Sequence, residues 1–324
     1  MKLTKSGRIY GEGYKGIVRD VAYIKGDKKT LYNALNKIDK NKVKIYGIKD
    51  NKIHIYSIER VKLLKIIEKK EDFITKEFKN NLWFLGYVKK TFFDNELNGI
   101  IKLMKIFKND IQKFTSIVPL FKYNGCGIYG LTYGDNYYVF SKKCGKTIDN
   151  IKFTTELYKK FITDIYYTLK LFKENDYLHN DLKPDNIILC NNKFKIIDWE
   201  LSKKVIYNRA SYTVNFGNPL FNHPLKIYIK GLPYVVYKQY FNEYMENENS
   251  DYIRYKSLNY FKDHLMNGLN NIVNIKKMSR FNAYKKYAKY FDLYSFAMII
   301  AYIGEINKLK IPYKFINKLI KNIE

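Results

Sequence analysis

The stretch that decides the fold of this chain is YLHNDLKPDNIIL at residues 177–189, which is followed by FKIIDWE at residues 194–200. Each stretch joins polar residues to a short run of β-branched residues, a pattern that indicates loops alternating with short strands. Asn186 and Asp198 offer oxygen ligands of the kind that Mg²⁺ prefers. The two stretches therefore indicate a polar site on loops that adjoin strands.

Together these stretches resemble the H-R-D-x-K-x-x-N catalytic loop and the D-F-G metal motif of protein kinases. The resemblance implies phosphoryl transfer from ATP, which depends on positioning and charge neutralisation more than on covalent chemistry. It implies that Asp181 accepts or orients the hydroxyl proton of the substrate, and that Lys183 neutralises charge on the γ-phosphate. Asn186, also a catalytic residue by this resemblance, would bind Mg²⁺ or Mn²⁺ together with Asp198, while His179 would have a packing and hydrogen-bonding role.

Two departures from the kinase pattern bear on regulation and on catalysis. Asn180 stands where protein kinases usually have Arg, so the cation that would pair with a phosphorylated activation loop is missing. We therefore expect activity that does not depend, through this residue, on phosphorylation between residues 203 and 218. Trp199 and Glu200 replace Phe-Gly. The Trp can fill the same apolar slot, whereas the Glu adds a carboxylate beside the metal site and either restricts the loop or weakens catalysis.

A glycine-rich segment near the N-terminus, GEGYKGIV at residues 11–18, matches the pattern G-x-G-x-x-G-x-V between two strand-like runs. Glycine lets the backbone approach phosphate oxygens closely, and the trailing valine can pack on an adenine ring. The predicted nucleotide-binding residues are therefore Gly11, Gly13, Gly16 and Val18. The same residues are also typical of an ordinary β-hairpin turn. A dinucleotide-binding fingerprint is disfavoured because it needs a helix after the glycines.

A protein kinase also needs a strand lysine on the α- and β-phosphates, paired with a glutamate on a helix. Lys44 is the candidate for this lysine, and Glu59, which opens the helix predicted next, is its candidate partner. Lys25 resembles the usual motif by letter but follows the glycines too closely to lie on the third strand. Glu68 or Glu71 could replace Glu59, and each of these residues could instead be an ordinary solvated charge.

Three further parts of the sequence fit the same resemblance. Residues 138–148 resemble the strand-to-hinge segment whose backbone meets adenine, which makes Cys144 a nucleotide-binding candidate. Residues 215–219 resemble the substrate-docking end of an activation segment, and residues 222–224 are the nearest substitute for its usual A-P-E. Asp292 resembles the helix aspartate that holds the backbone of the catalytic loop.

The predicted fold class is α+β, as a bilobal protein-kinase-like fold with a β-rich N-lobe and a helical, abbreviated C-lobe. The N-lobe would span about residues 1–140, the hinge about 141–146, and the C-lobe about 147–324 with an insertion at 225–285. Alternating or apolar runs predict strands at 8–10, 17–18, 21–24, 43–48, 53–58, 82–88, 128–132 and 137–140. Helical spacing of apolar residues predicts helices at 58–67, 154–173, 292–302 and 308–323.

The composition shows a strong excess of positive charge, with 59 Lys and Arg against 31 Asp and Glu, a net charge of +28. Such an excess favours polyanions. Acidic protein substrates fit it, and nucleic acid is not excluded as a partner. The basic residues are spread along the whole chain, however, and a lysine-rich solvated surface also explains them.

The three cysteines have no paired spacing, which indicates reduced thiols rather than a disulfide framework. The first residues lack the apolar stretch of a signal peptide. The most apolar segment, residues 291–304, contains Asp292 and is shorter than the ~20 residues that span a membrane. We therefore expect a cytoplasmic protein with no membrane span.

A narrower resemblance concerns the kinases of large DNA viruses, of giant-virus or poxvirus type. It depends on the abbreviated C-lobe, on Asn180, on the Asp-Trp-Glu at residues 198–200, and on a composition rich in Tyr and Lys. A viral kinase would act in the host cytoplasm or in the virion.

Three functions remain open on the sequence. An active Ser/Thr protein kinase is favoured, because Lys183 stands where kinases of that type have Lys. A small-molecule kinase of the aminoglycoside or choline type shares part of the catalytic motif, but Lys183, Pro184 and residues 215–219 argue against it. A catalytically weak pseudokinase that acts as a nucleotide-binding scaffold is suggested by Glu200 and by the uncertain lysine–glutamate pair.

Overall fold

In the computed structural model the chain is described over residues 9–12, 16–20, 43–49, 52–56, 73–78, 89–106, 121–123, 126–133, 136–142, 145–208, 221–223, 225–231 and 278–321. It divides into two compact units, Met1–Gly145 and Lys146–Glu324. The first unit is dominated by strands and the second by helices.

An antiparallel sheet forms most of the described part of the first unit. Its strands are β1 (Ile9–Glu12), β2 (Gly16–Asp20), β3 (Val43–Lys49), β4 (Lys52–Tyr56), β5 (Phe73–Phe78), β6 (Phe121–Tyr123), β7 (Cys126–Tyr133) and β8 (Asn136–Lys142). The order across the sheet is β1-β2-β5-β8-β7-β3-β4, and β6 pairs with β7. Although β3 and β4 follow β2 along the chain, they therefore lie at the opposite edge of the sheet.

A helix, α1 (Lys89–Ile106), packs against β5 and β8 of this sheet. Its buried apolar side chains recur every three or four residues, which puts them on one face of the helix; they are Phe93, Leu97, Ile100 and Leu103. The ring of Phe93 contacts the rings of Tyr46 and Tyr137, with centroid distances of 5.1 and 5.5 Å. Burial of one such aromatic side chain contributes about 1.5–3 kcal/mol.

The second unit contains five α-helices and four short strands in its described residues. The helices are α2 (Thr155–Glu174), α3 (Leu225–Lys230), α4 (Arg280–Tyr287), α5 (Phe291–Ile306) and α6 (Tyr313–Ile320). The strands are β9 (Tyr177–Leu178), β10 (Ile187–Cys190), β11 (Lys193–Ile196) and β12 (Lys203–Lys204). They form two antiparallel pairs, β10 with β11 and β9 with β12.

Helix α2 is specified by its cap and by its apolar stripe. The side-chain oxygen of Thr154 accepts a hydrogen bond from the backbone N–H of Leu157 at 3.2 Å, which satisfies a donor of the first turn. The buried positions then recur with helical spacing at Tyr158, Phe161, Ile165, Leu169 and Phe172. Phe161 meets Phe296 of α5 edge to face at 5.6 Å, so the two helices share one core.

The β10–β11 hairpin turns through Asn191 and Asn192, whose φ angles are 51° and 57°. Two-residue hairpin loops need positive φ at both positions, and asparagine tolerates this better than most residues. The backbone N–H of Phe194, on β11, donates to the Asp164 carboxylate of α2 at 3.1 Å. The hairpin is thereby tied to α2, and it places residues 197–200 directly after a fixed strand.

Helix α5 is buried on all sides from Phe291 to Gly304. Tyr158 donates its hydroxyl hydrogen to the backbone carbonyl of Ile300 at 2.6 Å, and this contact brings α2 close to α5. Gly304 permits the approach, because a Cβ atom there would lie 2.6 Å from Cγ1 of Ile311 and 2.8 Å from the Tyr158 hydroxyl oxygen. An uninterrupted apolar sequence thus forms a central helix rather than a surface one.

Most of the predicted secondary structure that falls on described residues is confirmed. The strands predicted at 43–48, 128–132 and 137–140 and the helices predicted at 154–173 and 292–302 are present with slightly different ends, and the helix predicted at 308–323 is shorter. The strands predicted at 21–24 and 82–88 and the helix predicted at 58–67 lie outside the described residues. The strands β5 and β6 and the helices α1, α3 and α4 were not predicted from the sequence. Two of these, α3 and α4, lie at the ends of the insertion expected at 225–285.

The expectation of reduced thiols is wrong for Cys190, which is buried on β10 and is disulfide-bonded. Spacing along the chain cannot reveal such a bond, because the fold can bring two Sγ atoms within bonding distance whatever their separation in the sequence. Among the described helices, none is both long enough and apolar enough to cross a membrane.

Replacement of Gly304 with Ala should lower the free energy of unfolding by about 1–2 kcal/mol, since overpacking of a tight core site costs about 1–3 kcal/mol. The higher helix propensity of Ala offsets this by no more than about 1 kcal/mol. Denaturant titration of the variant measures the difference. Lys318→Ala, at an exposed position of α6, is the control. A Gly304→Ala protein as stable as the control would contradict the tight contact.

Candidate active site

Residues 179–186, called the catalytic segment below, are held between two pairs of short strands. This segment leaves β9, which pairs with β12, and it ends in the 3-10 turn Pro184–Asn186 at the start of β10. The hydroxyl oxygens of Tyr177 and Ser202 lie 2.9 Å apart and share a buried hydrogen bond across the β9–β12 side. Burial raises the pKa of Tyr177 to about 12, so this phenol stays neutral. Short strands thus place the polar residues on a loop with fixed ends.

The side chain of Asp292 fixes the backbone at the start of this loop. Its Oδ2 accepts a hydrogen bond from the backbone N–H of His179 at 2.5 Å, and its Oδ1 accepts one from Asn180 at 3.0 Å. Asp292 is only 4% exposed and lies in the first turn of α5, where the helix dipole stabilises a negative charge. The predicted role of Asp292 is therefore confirmed.

Trp199 and His179 pack together behind the loop. The Trp199 ring is buried, its Nε1–H donates to the Ile196 carbonyl at 3.1 Å, and its edge meets Phe172 of α2 at 5.4 Å. The His179 ring lies 4.7 Å from the Trp199 ring. Its Nε2 lies 2.9 Å from the Ile197 carbonyl oxygen and donates a hydrogen bond to it in the tautomer that carries the proton on Nε2. Trp199 therefore fills an apolar slot, and His179 packs and hydrogen-bonds, as the sequence indicated.

Asp181, Lys183 and Asn186 lie together. The Lys183 Nζ atom is 3.5 Å from Oδ2 of Asp181, and the Asn186 side-chain amide donates to the same Oδ2 at 3.3 Å. The Asp181 side chain is 8% exposed and the Lys183 side chain 28% exposed. The structure thus gathers a carboxylate, an ammonium group and an amide at one side of the loop, with the ammonium more accessible than the carboxylate.

The orientation of Asn186 leaves an oxygen available for a cation. Its Nδ2 donates to the backbone carbonyl of Asp181 at 2.8 Å, which fixes the amide so that Oδ1 is turned away from that carbonyl. Its backbone carbonyl accepts from the N–H of Ile197 at 2.9 Å, and Asp198 is the next residue. Asp198 has φ and ψ of 66° each, a left-handed conformation that sets the direction of its side chain. An amide oxygen and a carboxylate on adjoining segments are hard donors that fit Mg²⁺.

Asn180 and Glu200 are both buried, at 0% and 8% exposed. The Asn180 side-chain amide comes only within 3.5 Å of the Leu201 carbonyl, and its Oδ1 has no hydrogen-bond partner among the described residues. Its φ is 69°, which asparagine tolerates well. The position at which protein kinases usually have Arg thus holds a neutral side chain inside the protein.

Lys226, on α3, is a charged residue beside the site that the sequence analysis missed. It is 0% exposed, and its Nζ donates to Oδ1 of Asn222 at 2.6 Å and lies 5.3 Å from the centre of the Phe291 ring. Burial lowers its pKa to about 8, against the attraction of Asp292 and Asp181, which acts to raise it. In a chain with 59 Lys and Arg, no local pattern distinguishes this lysine.

The segment before Lys226 is docked on α5. His223 is 2% exposed, and its ring contacts Tyr294 edge to face at 4.6 Å and stacks on Phe291 at 6.3 Å. Its Nδ1 accepts a hydrogen bond from the backbone N–H of Leu225 at 3.0 Å, which begins the short helix. The substitute for A-P-E expected at 222–224 therefore packs near Asp292, although Pro224 lies outside the described residues.

The nucleotide-binding residues predicted from the glycine pattern are only partly described. Gly11 lies on β1, and Gly16 and Val18 lie on β2, with Gly11 paired to Val18 across the antiparallel ladder. The pattern therefore does stand between two paired strands. Gly13, Glu59 and Cys144 lie outside the described residues.

Lys44 is not brought close to the glycine strands. It lies on β3, which is separated from β2 by β5, β8 and β7. The strand that pairs with β2 is β5, where Lys76 stands opposite both Val18 of β2 and Val139 of β8. The next described helix, α1, has a glutamate, Glu96, that is only 4% exposed. Lys76 and Glu96 are candidates that the sequence analysis missed, because strand order cannot be read from chain order.

Replacement of Asp292 with Asn should lower the free energy of unfolding by about 2–4 kcal/mol, because hydrogen bonds to a buried charged group contribute about 1.5–3 kcal/mol and a buried N–H would lose its acceptor. Asp185→Asn, at an exposed position of the same loop, should change stability little. Denaturant titration distinguishes the two variants. Equal stability of both would show that Asp292 does not anchor the loop.

The stability of the wild-type protein should include a pH-dependent contribution that Lys226→Met removes. Folding lowers the pKa of Lys226 from 10.5 to about 8, so between these values the unfolded chain holds a proton that the folded chain has released. Stability rises with pH wherever the unfolded state binds more protons. The contribution of Lys226 is thus smallest below about pH 8 and grows towards pH 10.5. Its full extent is of the order of 3 kcal/mol, at about 1.4 kcal/mol per tenfold change in proton affinity.

Denaturant titrations of both proteins at several pH values across this interval measure the difference between them. Since tyrosines and other lysines titrate in both proteins, the difference isolates Lys226. A constant difference from neutral to alkaline pH would show that Lys226 keeps an ordinary proton affinity in the folded protein.

Comparisons with known proteins agree with the position of this site. Residues 98–234 match the family model described as protein kinase domain. A probable serine/threonine-protein kinase irlC from Dictyostelium discoideum is 29% identical over 82 residues, which is 25% of this chain and 6% of the relative. The chain therefore spans only a small part of that curated relative's length.

These comparisons give no support to the viral resemblance, since the relative found is a Dictyostelium protein. The matched range contains the catalytic segment, Asp198 and Lys226. Residues 98–234 thus match the protein kinase domain, the family that the catalytic segment resembles.

Proposed function

We propose that this protein transfers the γ-phosphoryl group of ATP to Ser or Thr hydroxyl groups of protein substrates. A protein kinase domain implies phosphoryl transfer, and the protein matched over 82 residues is described as a probable serine/threonine kinase. The observation that supports the proposal most directly is the cluster of Asp181, Lys183 and Asn186 next to the segment that ends in Asp198.

In the proposed reaction Asp181 orients the substrate hydroxyl and accepts its proton. The contacts of Lys183 and Asn186 with its carboxylate both fall on Oδ2, which leaves Oδ1 for the hydroxyl hydrogen. The hydroxyl oxygen forms a bond to the γ-phosphorus, the bond from that phosphorus to the bridging oxygen breaks, and ADP leaves. Positioning of this kind, rather than covalent chemistry, accounts for most of the catalysis of phosphoryl transfer.

Lys183 has the accessibility that a phosphate ligand needs. Its ammonium group lies at 3.5 Å from Asp181, a distance longer than a tight ion pair, and its side chain is 28% exposed. A flexible ammonium group can turn from the carboxylate to the γ-phosphate and neutralise charge there. Lys183 therefore serves as the cation of the proposed site.

Asn186 and Asp198 are the proposed ligands of Mg²⁺ or Mn²⁺. A bound divalent cation would neutralise phosphate charge in addition to Lys183 and would orient the phosphate oxygens. Asn186 contributes Oδ1, which is held in place because its Nδ2 bonds to the Asp181 carbonyl. Asp198 contributes its carboxylate from a left-handed backbone position directly after the residue bonded to Asn186.

The first unit is the proposed nucleotide-binding lobe, with a hinge at about 141–146 and the second unit as the C-lobe. The boundary between the compact units at Gly145 supports this division. In place of the pair Lys44 and Glu59, we assign the phosphate lysine to Lys76 and its partner to Glu96. The support is that β5 adjoins the glycine strand β2 and that α1 packs on β5.

A nucleotide-binding scaffold without transfer is the second candidate, and a buried carboxylate supports it. Glu200 is 8% exposed and stands two residues after Asp198, where an added negative charge would weaken the binding of a phosphate–metal complex. The two candidates differ in one outcome: both bind ATP, and only a kinase releases ADP while it labels a hydroxyl group.

Purified protein with labelled ATP and Mg²⁺ or Mn²⁺ should label phosphoserine or phosphothreonine in a protein substrate. Asp181→Asn and Asp198→Ala should each lower the rate at least about 100-fold, since each removes a group that acts on the reacting atoms. Asp185→Asn, exposed in the same loop, is the matched control and should retain the wild-type rate.

Three outcomes would contradict the proposal. Binding of ATP without transfer would favour the scaffold, and transfer only to small acceptors would favour a small-molecule kinase. Transfer that survives Asp198→Ala would show a different site. An acidic and a basic protein substrate, each assayed with and without added salt, test whether the net charge of +28 recruits acidic substrates, because salt screens such attraction.

A further inference from the structure

Two buried carboxylates lie at the catalytic loop, one on the loop itself and one on α5. Asp181 and Asp292 are 6% and 4% exposed, and Asn180, whose backbone N–H donates to Asp292, has a neutral side chain. Lys183 contacts Asp181 but is partly exposed, and the proposed function requires it to turn towards phosphate. A buried negative charge without a compensating cation is costly, since burial disfavours the charged form. A second cation is therefore needed that does not leave when phosphate binds.

Lys226 meets this requirement from the opposite segment. Its Nζ lies 5.3 Å from the centre of the Phe291 ring, and Phe291 is the neighbour of Asp292 on α5. Among the described residues its ammonium donates to Oδ1 of Asn222 at 2.6 Å, a neutral acceptor that does not balance the charge. Asp292 and Asp181 are the charged groups that attract it. The ammonium is completely buried, so this attraction is weakly screened.

We propose that Lys226 is a positioning residue, an internal cation that holds the segment 221–226 and the catalytic loop around Asp181 in one arrangement without any phosphorylated residue. This inference rests on the proposed kinase function. It assigns to α3 the positive charge that is missing at Asn180. Because Lys226 is part of the folded core, the loop is set as soon as the protein folds.

The inference has a consequence for pH dependence. Burial lowers the pKa of Lys226 to about 8, so its charge is lost at mildly alkaline pH. The ionisable groups around it are Asp292 of α5, Asp181 of the catalytic loop with its partner Lys183, and His223 on its own segment. The decrease of kcat at alkaline pH should therefore follow the loss of the proton from Lys226.

The test compares Lys226→Met, Lys226→Arg and the control Lys230→Met, which removes an exposed lysine from the same helix. All are treated with a phosphatase first, so that no phosphorylated residue contributes to holding the loop. We expect kcat of Lys226→Met to fall about 10- to 100-fold with KM for ATP unchanged, as for a misplaced catalytic group. Lys230→Met should match the wild-type protein.

The pH profile separates positioning from a merely structural role. Between about pH 6 and about pH 9.5, the wild-type kcat should fall on the alkaline side near pH 8, and this limb should be absent from Lys226→Met. In Lys226→Arg the decrease of kcat should shift to a pH above the measured range, because arginine keeps its proton there. A folded Lys226→Met protein with the wild-type kcat, or with an unchanged alkaline limb, would overturn the inference.

A second measurement does not depend on activity. The free energies of unfolding of Lys226→Met, Asp181→Asn and the double variant form a cycle, and coupled charges should make the double variant less destabilised than the sum of the single ones. Additive effects would overturn the inference. If the wild-type protein transfers no phosphate, the proposed function fails, and this cycle still decides whether Lys226 and Asp181 are linked.

Discussion

The two hydrogen bonds from the backbone N–H groups of His179 and Asn180 to the carboxylate of Asp292 are the contact on which the candidate site depends. They join this loop to α5, which is buried from Phe291 to Gly304. A carboxylate with two oxygens can hold two adjacent N–H groups at once, which fixes both the position and the direction of the chain. The position of the catalytic segment is therefore fixed by its attachment to α5.

Burial of the same carboxylate is electrostatically unfavourable. Taking Asp292 and Asp181 out of water is unfavourable unless positive charge or hydrogen-bond donors surround them. Backbone N–H groups stabilise the charge of Asp292, and Lys183 and Asn186 stabilise that of Asp181. Lys226 on α3 attracts both carboxylates. Burial of Lys226 itself opposes its charge, and this is the local strain expected where a site is preorganised rather than optimised for stability.

Predictions made from local sequence succeeded where the signal was local. Helical spacing of apolar residues identified α2 and α5, whereas the catalytic segment and Asp292 were identified by their resemblance to protein kinase motifs. The pairing of Lys44 with Glu59 was chosen from chain order, whereas three strands separate β3 from β2 in the sheet. Strand neighbours are determined by long-range pairing, and chain order is a poor guide when a hairpin is inserted between them.

The sequence by itself determined which residues resemble a protein kinase site, because that resemblance depends on residue type and order along the chain. Tertiary structure alone decided which lysines are brought to the glycine strands and to α5. Pairing of β5 with β2 put Lys76 beside the glycine strands, and docking of residues 221–226 on α5 buried Lys226 among two carboxylates. Strand pairing and burial depend on residues that are distant in the sequence, so the sequence could not distinguish Lys76 and Lys226 from the many other lysines of the chain.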